Sequence, residues 1–283
     1  MILYDLWSWS RVSKTTLYIN IFQQEKFVKL TGSLKDQEFE SSLSQEICSF
    51  YTTMSCSATV KSQNVGYSHF VSLPLSLHPE LVKKIMNFQN SVVANAKDLG
   101  IERSMFNKPR SFHLTVLMLK LSNDQIGAAA EVLQRVSPKV IDALESRPVS
   151  VRLKGLECMK GSPAKARVVY APVEVIGGED RLLRACQVIN HAFTEAGLVL
   201  ENDSNQKLKL HATIMNARHR KSKRGSKKVD SFDARTIFGQ YGSEDWGEYL
   251  IREAHLSQRF VFDDNGYYHC CASIPFPEEM QLC

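Results

Sequence analysis

From about Tyr67 onward, hydrophobic and polar positions follow a regular order that predicts the elements. Tyr67 to Leu73 reads as a strand. Beyond Pro79, a residue suited to a first helical turn, Leu81, Ile85, Phe88, Val92 and Leu99 recur at helical spacing. Phe112 to Lys120 is a β-rich run, and Ser122-Asn123-Asp124-Gln125 is a capping-box pattern opening a helix that runs to about Val136. Val149 to Leu153 reads as another strand. The order then recurs: a strand at Arg167 to Ala171, a helix with an apolar face of Leu182, Cys186, Ile189 and Phe193 that Gly197 can end, and a β-rich run from Lys207 to Asn216. After a polar insertion, Ala254 to Phe262 and Tyr267 to Ile274 pair as a hairpin about Asp263-Asp264-Asn265-Gly266, whose Asn-Gly is a strong turn signal. Two successive strand-helix-strand units predict an α+β fold in which two pseudo-symmetric β-sheet/helix lobes flank a central cleft, in a domain covering 63–283.

Residues 1–62 differ in character. Aromatics (Trp7, Trp9, Tyr18, Phe22, Phe27) precede a Ser/Gln/Glu-rich stretch around 41–46 that admits a short helix. No chemistry is legible there, and the segment reads as an N-terminal extension. With 283 residues, 43% hydrophobic and 23% charged, the chain has the profile of an ordinary globular protein, which excludes disorder, collagen and coiled coil. No apolar run approaches the ~20 residues that span a bilayer. The opening Met1 to Trp7 lacks a basic start and is broken by Asp5, so an intracellular protein without a membrane segment is expected. Seven cysteines (48, 56, 158, 186, 270, 271, 283) are odd in number and include no C-x-x-C pair, so they read as free thiols.

The candidate chemistry lies in two short strings at corresponding places: Phe112-His113-Leu114-Thr115-Val116 and Leu210-His211-Ala212-Thr213-Ile214. Side chains alternate along a strand, so His113 and Thr115 share one face while Phe112, Leu114, Val116 and Met118 line the other. His211 and Thr213 stand likewise against Leu210, Ala212 and Ile214. If the lobes are related by a pseudo-twofold, two imidazoles and two hydroxyls meet across the cleft. Phosphodiester chemistry suits that set: one histidine removes a proton from the attacking oxygen, the other protonates the leaving oxygen, and the threonines hold the non-bridging oxygens. The sequence leaves open which histidine is base and which is acid. No metal or other cofactor is required. One His-x-Thr triplet is a weak signal, but two in matching contexts, 98 residues apart, are specific.

The paired triplets resemble the 2H (two-histidine) phosphoesterase superfamily. Within it, Lys209 to Asn216 and the tail from His255 to Cys271 are similar to a branch found in the activating signal cointegrator 1 complex, over roughly residues 66 to 277. The resemblance implies the 2H phosphoesterase fold, an active-site quartet of His113, Thr115, His211 and Thr213, and RNA or a nucleotide phosphodiester as substrate. It also implies the helicase subunit of that complex as a partner, a monomer within the complex, roles in transcription coactivation and alkylation repair, and residence in the nucleus, with the cytoplasm also open. The branch normally carries a KH domain marked by an Ile-Gly-x-x-Gly loop. No G-x-x-G occurs before residue 66, and Gly239-Gln240-Tyr241-Gly242 lacks KH flanks. RNA binding by a KH module is therefore not expected.

Residues 218–228 hold seven Lys/Arg and no acid, which turns the net charge of +5 into −2 for the rest of the chain. Arg218, Arg220 and Lys221 open this run and are candidates to contact phosphates flanking the cleft; a nuclear import signal or a solvated loop fits the same composition. Phe70, Tyr170, Tyr267 and Tyr268 can stack a base at the cleft or pack in the core. Two functions stay open: a phosphodiesterase, and a nucleic-acid-binding scaffold subunit that turns over little.

Overall fold

The computed structural model describes residues 66–278 except 96–99, 160, 178–179, 201–202, 204–206 and 222–230, together with the backbone of three strands within 9–31. The chain divides into two units, Met1–Gln63 and Asn64–Cys283. In the first, β1 (Trp9–Ser13), β2 (Thr16–Ile21) and β3 (Lys26–Thr31) form an antiparallel meander, which the sequence pattern did not suggest. The helix admitted around 41–46, and Leu99 of the helical stripe, lie outside the described residues.

The second unit is built on one sheet. Its order is β10 (Asp245–Leu250), β6 (Ser150–Lys154), β8 (Val168–Val175), β9 (His211–Asn216), β5 (His113–Leu119), β4 (His69–Pro74), β11 (Glu253–Phe262) and β12 (Tyr268–Pro275), with the short β7 (Glu157–Cys158) also on β8. Four strands therefore lie on either side of the β9/β5 seam, and each half contains one of the two repeated units. Every pairing is antiparallel.

The helices form where apolar stripes recur. In α1 (Pro79–Asn95), Leu81, Ile85, Phe88 and Val92 are buried, together with Gln89. The second helix, α2 (Gln125–Ala143), starts where Gln125 reaches back to accept from the Ser122 backbone N–H (3.0 Å) and hydroxyl (2.9 Å). It runs seven residues beyond the expected end at Val136, passing through Pro138. A helical proline removes one backbone bond, but Val140 and Leu144 extend the buried stripe of Ala129, Val132, Leu133 and Val136, and that burial carries the helix onward. α2 packs against α3 (Arg181–Glu195) and against β12. The end of α3 is set by Gly197 at φ +68, with Leu198 N–H donating to Phe193 C=O (3.0 Å), a left-handed helix stop.

The stretch read as a polar insertion instead holds α4 (Arg235–Tyr241) and the edge strand β10. Trp246 on β10 is buried, donates its indole N–H to Gly155 C=O (3.0 Å) and meets Phe88 of α1 edge-on at 5.3 Å. Among the described residues, no helix is long and apolar enough to cross a membrane. Trp246→Ala leaves a large cavity between α1 and β10 and is expected to cost about 3–5 kcal/mol, read as a lowered urea midpoint with unchanged secondary structure.

Candidate active site

The two His-x-Thr strings become neighbours in a single sheet. β5 and β9 join through one residue pair, Leu114 opposite Ala212, and part on either side of it. One step along the antiparallel register sets His113 toward Thr213 and Thr115 toward His211. Leu114 and Ala212 point into the core with no exposure, so all four predicted side chains lie on the opposite face, around a local twofold centred on the bridge. The cleft between the lobes is thus the parting of one sheet.

Each strand then breaks its alternation at the same place. The register of β4 with β5 shifts so that Val116 is an extra residue; in β8 with β9 the extra residue is Ile214. Each bulge follows its threonine directly. It turns Leu117 and Met215 into the core and brings Met118 and Asn216 round to the half-exposed polar face. Unbroken alternation placed Met118 on the apolar side; the bulge is the reason it is not there. Asn107 closes the widened strand: its backbone N–H donates to Ile214 C=O (2.9 Å) and its side-chain amide to Thr213 C=O (2.9 Å), while buried Gln89 donates to Asn107 C=O (2.7 Å).

Both imidazoles are clamped alike. Nδ1–H of His113 donates to Ser111 C=O (2.8 Å), and Nδ1–H of His211 donates to Lys209 C=O (2.7 Å). A carbonyl only accepts, so Nδ1 carries the proton and Nε2 of each neutral ring keeps its lone pair.

Their surroundings differ. His113 lies beside Phe70 (ring centroids 4.9 Å) and Tyr268 (5.5 Å, edge-on). Burial pushes its pKa down to about 4, opposed by the hydrogen bond to Ser111 and assisted by nearby His211. His211 instead abuts Tyr170 (5.2 Å), whose hydroxyl donates to Glu157 and accepts from Lys209 Nζ (2.6 Å). Lys209 also pairs with Glu157 at 3.3 Å, and the bonds to Tyr170 and Glu157 hold its ammonium above the usual lysine range. Phe70 and Tyr170 are buried and Tyr268 half-buried, so these aromatics act as walls for the histidines. Tyr267 is buried as well, its hydroxyl bonded to Ser72 (3.0 Å).

Sequence reasoning missed Asn107, Lys209 and Glu157 as parts of the site, because their roles arise from packing between distant segments.

The basic candidates stand apart from the quartet, beyond the end of β9. Arg218 and Lys221 are exposed. Arg220 donates to Ser231 C=O (3.2 Å) and Gly100 C=O (3.1 Å), tying two loops together. The Lys221 backbone N–H donates to Glu102 (3.1 Å). Residues 222–228 of the basic run lie outside the described residues.

Residues 67–276 match the family model of the AKAP7 2'5' RNA ligase-like domain. The chain is 31% identical over 227 residues to activating signal cointegrator 1 complex subunit 1 of Mus musculus, covering 74% of this chain and 63% of that protein. It is 24% identical over 223 residues to A-kinase anchor protein 7 isoform gamma of Homo sapiens, covering 77% and 60%. It therefore spans about three fifths of the length of these curated relatives. Among solved structures, LigT of E. coli complexed with NADP+ aligns with a TM-score of 0.47 at 12% identity, covering 75% of this chain and 99% of that one.

The dry walls around His113 make its titration a direct test of the geometry. The imidazole Cε1–H resonance of His113 is expected to titrate near 4. Tyr268→Ala, which opens one wall, is expected to move that midpoint back toward the ordinary histidine value; an unchanged midpoint contradicts this account.

Proposed function

The chain belongs to the AKAP7 2'5' RNA ligase-like domain family of the 2H phosphoesterase superfamily, and from that premise we propose that it is a metal-independent phosphodiesterase acting on RNA or on a 2',3'-cyclic or 2'-5' linked nucleotide. The observation that carries this reading is the duplicated clamp, in which each imidazole donates Nδ1–H to the carbonyl two residues before it and leaves Nε2 for the substrate. His113, kept neutral by its dry walls, takes the proton of the attacking water. His211 faces the leaving oxygen and supplies its proton. Thr115 and Thr213 donate to the non-bridging oxygens, where charge develops. Arg218 and Lys221 add positive charge beyond the end of β9, and Arg220 holds that segment in place.

A second reading is a nucleic-acid-binding subunit that turns over little. It is supported by the name of the mouse relative, which identifies that protein as a subunit of a complex. On either reading we place this chain in a complex with a helicase subunit, in the nucleus, with roles in transcription coactivation and alkylation repair.

His113→Ala and His211→Ala are each expected to lower kcat by about 10²–10⁴ on cyclic-phosphate or 2'-5' linked substrates, and EDTA is expected to leave wild-type activity intact. Because His113 accepts the proton, activity is expected to persist as pH falls and to drop only near pH 4, where that ring becomes charged. Zinc- or manganese-dependent recovery after chelation would refute the metal-free mechanism. A double variant and wild type that are equally inert, with wild type still binding RNA tightly, would favour the second reading.

A further inference from the structure

The β11–β12 hairpin assembles a second cluster of reactive side chains, Glu253, His255 and Cys270, through a break in strand alternation. His255 pairs with Ser273, Leu256 with Ala272 and Ser257 with Cys270, so Cys271 is the extra residue of a bulge. Side chains directly opposite one another share a face, as do residues two apart on one strand. The bulge therefore sets Cys270 on the face of Glu253, His255 and Ser257, where unbroken alternation would have placed Cys271.

His255 is nearly enclosed, its side chain 12% exposed and the Tyr267 ring edge-on at 5.7 Å. Its Nε2–H donates to Glu253 (2.9 Å), and that bond holds the Glu253 carboxyl below the usual carboxylate range. Nδ1 is buried and has no hydrogen-bond partner. Burial disfavours the charged ring, but the Cys270 sulfur and the Glu253 carboxylate beside it raise its pKa to about 9. A charged imidazole carries N–H on both nitrogens, so at neutral pH the cluster holds a buried, unfilled donor next to a sulfur. The Cys270 thiol is exposed and donates to Ala272 C=O (3.2 Å). A thiolate has no proton to give, so on ionisation the sulfur leaves that carbonyl and takes Nδ1–H of His255.

The other described cysteines lack this setting. Burial pushes the Cys158 and Cys271 thiols up, and the Cys186 thiol up to about 12. Only Cys270 of the four is exposed. A sulfur open to solvent, an imidazole beside it and a carboxylate orienting that imidazole from behind form the arrangement that activates a thiol nucleophile.

We infer that Cys270, His255 and Glu253 form a thiol modification site that reacts with hydroperoxides, independent of the phosphodiester chemistry. The Cys270 thiolate attacks one peroxide oxygen, and the S–O bond forms as the O–O bond breaks. Sulfur loses two electrons and becomes a sulfenic acid; the peroxide gains them. The departing hydroxide takes the Nδ1 proton of His255 and leaves as water, and the freed Nδ1 lone pair accepts the sulfenic O–H. Glu253 keeps Nε2–H throughout, so Nδ1 is the nitrogen that gives the proton.

The test treats the full chain with hydrogen peroxide at neutral pH in the presence of dimedone, which captures sulfenic acids, and reads the labelling rate at each cysteine by peptide mass spectrometry. Cys270 is expected to label faster than Cys158, Cys186 or Cys271. H255Q is expected to slow labelling of Cys270 about tenfold or more, and E253Q, whose amide oxygen still accepts Nε2–H, to slow it less. Labelling of Cys270 at the rate of a free cysteine peptide, or at a rate unmoved in the folded variants, overturns the inference. C270A removes an exposed side chain and gives a second reading that does not depend on those variants. Loss of the sulfur is expected to bring the His255 titration midpoint, followed by its Cε1–H resonance, down from about 9. A midpoint that stays in place overturns the pairing of thiol and imidazole on which the site rests.

Discussion

One residue pair holds the site together. Leu114 and Ala212 form the one residue pair that joins β5 to β9, and with them the two four-stranded halves, and both are fully buried. A one-residue slip at that seam would turn every side chain of one strand to the opposite face, sending a histidine and a threonine into the core and a leucine or alanine into the groove. The cost of burying an imidazole and a hydroxyl without partners keeps the register fixed. Because the strands part beyond the bridge, a groove opens between them. Because each bulge follows its threonine, the polar face ends at Met118 and Asn216 on the two sides.

The backbone is duplicated, but its walls are not. The clamps on the two imidazoles match to within 0.1 Å (2.8 and 2.7 Å), so chain geometry alone would make the two rings interchangeable. Side chains from neighbouring strands separate them. On the β4 and β12 side, Phe70 and Tyr268 disfavour the charged form of His113. On the β8 side, Tyr170 brings a hydroxyl joined to a carboxylate and an ammonium against His211. A symmetric frame with asymmetric walls gives two identical groups different electrostatic surroundings.

The sequence made the strand-helix order, the hairpin turn and the quartet legible because each depends on local periodicity or on a repeated string. What it concealed depends on tertiary contact. The bulges after Thr115 and Thr213 leave the same residue types in place and appear only through register with β4 and β8. Helix α2 continues through Pro138 because Val140 and Leu144 find a core to enter, which no propensity encodes. Asn107 lies 106 residues from the Thr213 carbonyl it binds, and Glu157 lies 52 from Lys209. The strands of residues 9–31 carry mixed polarity on short segments, where alternation gives little signal.

Charge shows the same division between what is local and what folding assembles. By composition, the excess of cations resides in residues 218–228, and the remainder of the chain is slightly acidic. The fold alters what that means, because Gly100 and Glu102 fasten the start of the basic run beside Arg103. Lys108 and Arg110, otherwise lost in an acidic average, line one cavity with Arg103 and with Phe262, whose ring packs on Tyr268. Potential at a groove depends on nearby charges and little on distant ones, since screening confines an exposed charge to about 10 Å. A chain with a modest net charge can thus carry a local concentration of cations, with the Phe262 ring set among them under Lys108.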